Sequence, residues 1–165
     1  MNRKFPISLQ HDAMLCGIAC LQMVCDFYGK TYTSKHLSKL CSVTTEGVSL
    51  FSIDETAKIL GFHTLCARIE TNILLKVSFP CILHWNQNHF VVLYKVKKGR
   101  KFYVADPGKG LVKYNLKEFK SHWIITKSDG EKKGIAMFLE PTPAFYTHKE
   151  DGEGEKKKNP RSFRF

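Results

Sequence analysis

A chain of 165 residues that is 43% hydrophobic and 25% charged is long enough for one domain with its own core, and this composition excludes wholesale disorder. No apolar run reaches the length that spans a bilayer and the N-terminus has no apolar signal region, so we expect a soluble, cytosolic chain. The formal net charge of +11 is compatible with nucleic-acid binding, but no recognition-helix pattern or aromatic–basic platform accompanies the lysines. We interpret the charge as a solvated basic surface, with attraction to anionic lipid or to an acidic peptide as the alternative.

The six cysteines are predicted to be reduced thiols. Without a signal region a disulfide framework is not expected, and without a CxxC pair or a matching histidine couple neither is a zinc site. The sequence also has no GxxxxGK[ST] phosphate loop, which excludes ATP binding by that route. At most one thiol is therefore expected to do chemistry. The six are Cys16, Cys20, Cys25, Cys41, Cys66 and Cys81.

The first 61 residues are predicted to be mostly helical. From Cys16 onward the apolar positions recur at the spacing of an amphipathic helix, and Gly29 supplies the stop. Thr33 and Ser49 are predicted to cap a second and a third helix, with a loop over residues 42–47 between those helices.

The remainder of the folded part is predicted to be strands. Short runs rich in β-branched and aromatic residues lie between turn signals, with a hairpin turn over residues 97–100 and a short helix over residues 116–123. The predicted strands cover residues 63–69, 80–85, 89–96, 101–105, 111–114 and 135–139. Helices followed by an antiparallel meander predict an α+β domain with the helices on one side of the sheet.

The C-terminal segment is predicted to lie outside the domain. Structure is expected to fade from Pro141, so we place the domain at residues 1–145 and a charged linker at residues 146–165. The last five residues, Arg161-Ser-Phe-Arg-Phe165, are basic and aromatic, which suits either a membrane surface or a frayed tail.

Cys16 is the candidate nucleophile. It lies in the first turn of the first predicted helix, where unpaired backbone N–H groups and the helix dipole favour a thiolate. The alternative is that Cys16 is one more small buried apolar residue.

His89 and Asp106 are the candidate base and orienting acid. His89 begins one strand and Asp106 ends the next, and a hairpin over residues 97–100 would bring these two strand ends to the same edge of the sheet. The hairpin therefore predicts a carboxylate beside an imidazole. Alternatively, His89 is a surface or structural histidine, and Asp106 is a turn-capping residue before Pro107 and Gly108. For Asp106, turn capping and orienting a base are compatible.

Gln10 is the candidate for an additional oxyanion donor. It precedes Cys16 by six residues, and its side-chain amide could serve the same oxyanion as the Cys16 backbone N–H. By itself, a glutamine at this position carries almost no information. Rivals for the role of base or orienting acid are His11, Asp12, Asp54 and His84.

Taken in order, these motifs resemble the bacteriocin-processing cysteine peptidase domain found at the N-terminus of peptidase-containing ABC transporters. The resemblance covers roughly residues 5–145. Its motifs are Gln10-x-Asp12-x-x-x-Cys16-Gly17-x-Ala19-Cys20-Leu21, Phe27-Tyr28-Gly29-Lys30, Gly47-Val48-Ser49-Leu50, Leu60-Gly61-Phe62, Pro80 to His84-Trp85, His89-Phe90-Val91-Val92, Ala105-Asp106-Pro107, Gly110, Phe119, Trp123 and Glu140-Pro141.

The resemblance implies a papain-like fold and cleavage of a leader peptide after a double-glycine motif. It assigns the nucleophile to Cys16, the base to His89, the orienting acid to Asp106 and the oxyanion-hole amide to Gln10. It further implies a precursor peptide as substrate, with transmembrane and ATPase domains of the same protein as partners. The full protein would be a homodimer that carries this domain on the cytoplasmic face of the bacterial inner membrane, with ATP bound only by the ATPase domain and no cofactor in this one.

The sequence also departs from the family pattern. Leu15 stands where members usually carry an acidic residue, and Trp123 is followed by Ile124-Ile125 in place of small residues. Some relatives have lost the cysteine and only bind substrate, so a non-catalytic cargo-docking domain is the alternative function. A basic nucleic-acid binder is a third and weaker hypothesis.

Overall fold

The computed structural model describes residues 4–10, 12–77, 79–126, 132–147 and 155–157. His11, one of the rival site residues, and the basic C-terminal residues 161–165 lie outside this part of the chain. In the described residues, none of the helices combines the length and the hydropathy needed to cross a bilayer.

Three helices fill the N-terminal part, as the sequence predicts. They are α1 (Cys16–Phe27), α2 (Ser34–Leu40) and α3 (Leu50–Leu60). Thr33 accepts a hydrogen bond from the His36 N–H and Ser49 accepts one from the Ser52 N–H, so both predicted N-caps are confirmed. However, α1 is not the predicted one-sided amphipathic helix, because all of its side chains except Gln22 and Asp26 are buried.

The strands form a seven-stranded antiparallel sheet among the described residues. Its members are β4 (Phe62–Ile69), β5 (Cys81–Trp85), β6 (His89–Lys97), β7 (Lys101–Asp106), β8 (Gly110–Asn115), β9 (Ile124–Thr126) and β10 (Lys133–Pro141), ordered β4-β10-β5-β6-β7-β8 with β9 beside β10. The predicted simple meander holds only for β5 to β8. The last long strand, β10, lies between β4 and β5.

Both faces of this sheet are covered. Ile82, Phe90 and Val92 pack into the core formed with α1, α2 and α3. Leu83, Val91 and their neighbours pack into a second core with the short helix α5 (Leu116–Trp123). The predicted α+β class is confirmed, but the prediction that helices lie on one side only is wrong, because strands that are apolar on both faces need cover on both.

Several short elements had no counterpart in the sequence-based prediction. Residues 42–47, predicted as a loop, contain β2 (Val43–Thr44) and the start of β3 (Gly47–Val48), which pair as a hairpin. The others are β1 (Lys30–Tyr32), α4 (Thr71–Leu74), α6 (Pro143–Thr147), β9 and β11 (Glu155–Lys157), and β11 pairs with β1.

The prediction that structure fades from Pro141 is wrong for residues 143–147. The Thr142 N–H donates to the Gly61 carbonyl at 3.1 Å, and Phe145 of α6 is fully buried against Phe62. Gly61 has φ +102°, and any side chain there would collide with the Phe145 backbone. The domain boundary at residue 145 remains a prediction.

Candidate active site

The candidate site lies where the first residue of α1 meets the adjoining ends of β6 and β7. Cys16 opens α1 after a short 3-10 turn over Ala13–Leu15, which Asp12 caps by accepting a hydrogen bond from the Met14 N–H. The Cys16 side chain is only 4% exposed, and its thiol is free, as are the other five. The reduced state of the cysteines stays a prediction.

His89 and Asp106 are in direct contact, as the hairpin predicted. His89 Nε2 lies 2.7 Å from Asp106 Oδ1, although 17 residues separate them. The turn at Lys98 and Gly99, both at positive φ, reverses the chain between the two strands.

Asp106 and Cys16 both act on the pKa of His89. The bond to Asp106, the interaction with Cys16 and the negative charge of Asp106 outweigh burial and raise the pKa of His89 to about 9. Because Nε2 contacts Asp106, Nδ1 is the ring nitrogen that remains available to interact with the Cys16 sulfur. At neutral pH the ring is therefore an imidazolium that faces the Asp106 carboxylate.

Asp106 is held as a carboxylate by its surroundings. Burial by itself would raise the pKa of Asp106, whose residue is only 2% exposed. The hydrogen bond from His89, the Gly108 N–H donating to Oδ1 at 2.8 Å and the nearby cations hold that pKa below its usual value. Asp106 therefore contacts its own turn and His89 at once, so turn capping is compatible with the predicted orienting role.

Gln10 is tied to the same turn through its backbone. Its N–H donates to the Pro107 carbonyl at 2.8 Å, which places the segment before α1 beside the end of β7. Its side-chain amide donates to Ser34 Oγ at 3.4 Å. The oxyanion role of Gln10 stays a prediction.

The described rival residues lie in other environments. Asp12 caps the 3-10 turn, and Asp54 binds Lys58 and the Thr64 hydroxyl between α3 and β4. His84 packs against Phe90, with ring centroids 5.4 Å apart, and burial lowers its pKa. In the described part of the chain, no hydrogen bond, ion pair or ring contact joins any of these three residues to Cys16 or His89.

Two glycines near the site were not predicted to have a role. A Cβ on Gly17 would lie 2.6 Å from the Ile53 side chain and 3.5 Å from the Phe90 ring, so a larger residue after Cys16 would require the Ile53 side chain to move. Gly108 supplies the N–H that binds Asp106, and the sequence signal was the Asp106-Pro107-Gly108 turn itself. In the described residues, no group of three or more His, Cys, Asp or Glu side chains is placed to hold a metal ion.

Comparisons with known proteins agree on one family. The model of the peptidase C39 family matches residues 4–131. The colicin V secretion/processing ATP-binding protein CvaB of Escherichia coli is 35% identical over 144 residues, which are 87% of this chain and 19% of that protein. The chain thus spans about a fifth of the length of curated relatives that it matches.

Solved structures give the same result for the fold. A double glycine motif protease from an AMS/PCAT transporter, solved in complex with the leader peptide, has a TM-score of 0.74 at 35% identity, covering 84% of this chain and 93% of that one. The peptidase domain of Streptococcus ComA, a bi-functional ABC transporter, has a TM-score of 0.73 at 25% identity, covering 84% and 100%. The predicted mixture of helices with an antiparallel sheet is the architecture of these peptidase domains.

Proposed function

Since this chain belongs to the peptidase C39 family and is a cysteine peptidase domain, we propose that it removes the leader of a precursor peptide by cutting after a double-glycine motif. The observation that carries this proposal is the 2.7 Å contact between His89 and Asp106, together with the effect of Cys16 on the pKa of the same imidazole. We further propose that Cys16 is the nucleophile, His89 the acid–base group and Asp106 the residue that orients it.

Attack begins from the thiolate that the His89 imidazolium favours. The sulfur adds to the carbonyl carbon of the second glycine, and the resulting oxyanion lies near the N-terminus of α1, where the Cys16 N–H is the first donor. The Gln10 amide is the proposed second donor. It needs only to turn from Ser34, because the bond that holds it there is long at 3.4 Å.

The proton on His89 completes the first half of the reaction. His89 donates it to the leaving amine, which breaks the peptide bond and leaves a thioester on Cys16. Water then attacks the thioester, His89 accepts its proton, and the leader leaves with a new carboxylate. Throughout both halves the Asp106 carboxylate keeps the imidazole ring aimed at the sulfur.

The enclosure of the thiol supports a preference for glycine. Because the Cys16 side chain is only 4% exposed, a residue that presents its carbonyl to the sulfur has little room for a side chain. A pair of glycines lets the peptide backbone approach where any Cβ would collide with the walls. The leader-bound double-glycine protease among the similar structures supports the same choice of substrate.

We propose that the domain works as part of a larger exporter. The curated relatives are ATP-binding secretion and processing proteins about five times longer than this chain. The partners would be the transmembrane and ATPase domains of the same protein, assembled as a homodimer, with this domain on the cytoplasmic face of the bacterial inner membrane. Any ATP would bind to the ATPase domain.

Mass spectrometry of a double-glycine precursor incubated with the chain tests the proposal. We expect one cut after the second glycine, its loss in Cys16→Ala, and its retention in the matched control Cys20→Ala, one helical turn away. Tight binding of the precursor without any cut would favour the cargo-docking alternative. Unchanged cleavage by Cys16→Ala would overturn the choice of nucleophile.

A further inference from the structure

Four lysines and one tyrosine share a single face of β6, β7 and β8. The register pairs Lys95 with Tyr103, Tyr103 with Lys113, and Lys97 with Lys101. Because paired residues and residues two apart point to the same side of a sheet, these five side chains share one face. We call this set, Lys95, Lys97, Lys101, Tyr103 and Lys113, the basic face.

The lysines converge on the tyrosine ring. The Nζ atoms of Lys95, Lys97 and Lys113 lie 5.3, 5.7 and 5.4 Å from the centroid of the Tyr103 ring. Each of these cations is within reach of the negative face of an aromatic ring, which offsets part of their mutual repulsion. The ring therefore holds three positive charges close together at the end of the sheet away from Cys16.

This arrangement is costly for the fold itself. Lys97 lies directly opposite Lys101, and like charges in that position destabilise a sheet. Among the described residues, the ion pairs do not include any lysine of the basic face. Residues 95–117 contain eight lysines and arginines but one carboxylate, Asp106, which is committed to His89. Folding does not account for such a concentration of charge.

We propose that the basic face binds the headgroups of an anionic phospholipid bilayer. Its charges come from lysines only, whose ammonium groups attract phosphates as compact point charges and lack the planar fork that favours base recognition. Lys97, Lys101 and Lys113 are exposed on three adjacent strands, so a broad anionic surface can reach all three together. Leu111, opposite Ala105 and two residues before Lys113, adds an exposed apolar side chain to the same side of the sheet.

This inference does not depend on the peptidase reaction. The basic face contains no residue of the proposed catalytic set, and β6 separates Lys95 from His89 by six residues. Binding through it would hold the chain at a membrane surface without touching Cys16. Loss of membrane binding and loss of cleavage can therefore be measured separately.

Sedimentation with vesicles tests the proposal. We expect the chain to bind vesicles of equimolar phosphatidylglycerol and phosphatidylcholine, but not vesicles of phosphatidylcholine alone. Raising the salt concentration should dissociate the chain from the anionic vesicles. Replacing all four lysines of the basic face by glutamine should weaken binding by about 100-fold or more, because each lysine near an anionic surface contributes about fivefold.

A matched variant separates the basic face from net charge. Lys35, Lys39, Lys76 and Lys117 are exposed lysines elsewhere, and changing them to glutamine removes the same four charges. We expect this control to lose much less binding than the face variant, while both keep precursor cleavage. The control should melt at the wild-type temperature and the face variant at or above it, because the face variant loses the like-charge pair of Lys97 and Lys101. If the variant with four substitutions does not fold, the double variant Lys97→Gln/Lys113→Gln replaces it. We expect this double variant to bind anionic vesicles about 25-fold more weakly than the wild-type chain.

Three outcomes would overturn the proposal. They are failure of the wild-type chain to bind anionic vesicles, equal losses in the face and control variants, and binding of a short RNA or an acidic peptide through the basic face with no binding to vesicles.

Discussion

His84 and His89 lie five residues apart on the two strands of one hairpin, yet their surroundings shift the imidazole pKa in opposite directions. Burial lowers the pKa of His84, which packs against Phe90 and has its Nδ1 buried without a hydrogen-bond partner. His89 is also partly buried, but its interactions with Asp106 and Cys16 raise its pKa to about 9. The difference between the two imidazole pKa values therefore comes from the anionic partner of His89 and not from burial.

The largest effect on cleavage is expected from removing the His89 imidazole. His89→Ala deletes both the cation that favours the thiolate and the proton donor for the leaving amine, so cleavage should fall by about 10⁴-fold, the upper end for one acid–base group. The measurement is kcat/KM on a double-glycine precursor. His84→Ala is the matched control, and equal losses in the two variants would remove the distinction between the two histidines.

Removing the anionic partner alone should give an intermediate loss. In Asp106→Asn the shape of the side chain is kept, but its negative charge no longer orients the ring or holds its proton. We expect cleavage to fall by about 10²-fold or more. An NMR titration should show the His89 pKa moving back towards 6.5 in this variant. A pKa still near 9 would mean that Asp106 does not cause the shift.

The same contact predicts a pH-dependent stability. The folded-state pKa of His89 is raised, so its contribution is full below about 6.5 and is lost as pH rises through about 9. The pKa of Asp106 is lowered, so its contribution is full above about 4 and is lost at lower pH. Thermal melts should show the largest gap between wild type and Asp106→Asn from about pH 4 to 6.5. A gap that grows from pH 7 to 9 would contradict this account.

The smallest effect on cleavage is expected from replacing the His84 imidazole. His84→Phe replaces a half-buried imidazole that has an unpaired Nδ1 by a ring that can still pack on Phe90. We expect the free energy of unfolding to rise by about 1 kcal/mol and cleavage to change less than about tenfold. Chemical denaturation and precursor cleavage measure the two. Complete loss of cleavage in a folded His84→Phe variant would show that this ring takes part in the reaction.

Local signals accounted for much of the fold. Thr33 and Ser49 cap the helices that they were predicted to cap, because a hydroxyl before an apolar-periodic run satisfies a free N–H of the first turn. The contact of His89 with Asp106 was also predictable, since one tight turn determines which strand ends meet.

Long-range pairing could not be predicted in the same way. The sequence of β10 carries no signal that it enters the sheet between β4 and β5, because that choice depends on partners far away in the chain. Likewise, α6 is stabilised by Phe145 packing on Gly61 and Phe62, a contact invisible to a local pattern. The hydrogen bond of the Gln10 amide to Ser34 is of the same kind.

Alkylation of the cysteines tests most directly whether His89 activates Cys16. Cys66 is the exposed thiol, but burial of its sulfur and the Asp54 charge raise its pKa to about 11, so it stays protonated at neutral pH. Cys16 is almost fully covered, yet its neighbour is an imidazolium. With iodoacetamide at pH 7 and peptide mapping, we expect Cys16 to be labelled first, and to lose that lead in His89→Ala. Labelling of Cys66 before Cys16 in the wild-type chain would contradict an activated thiolate.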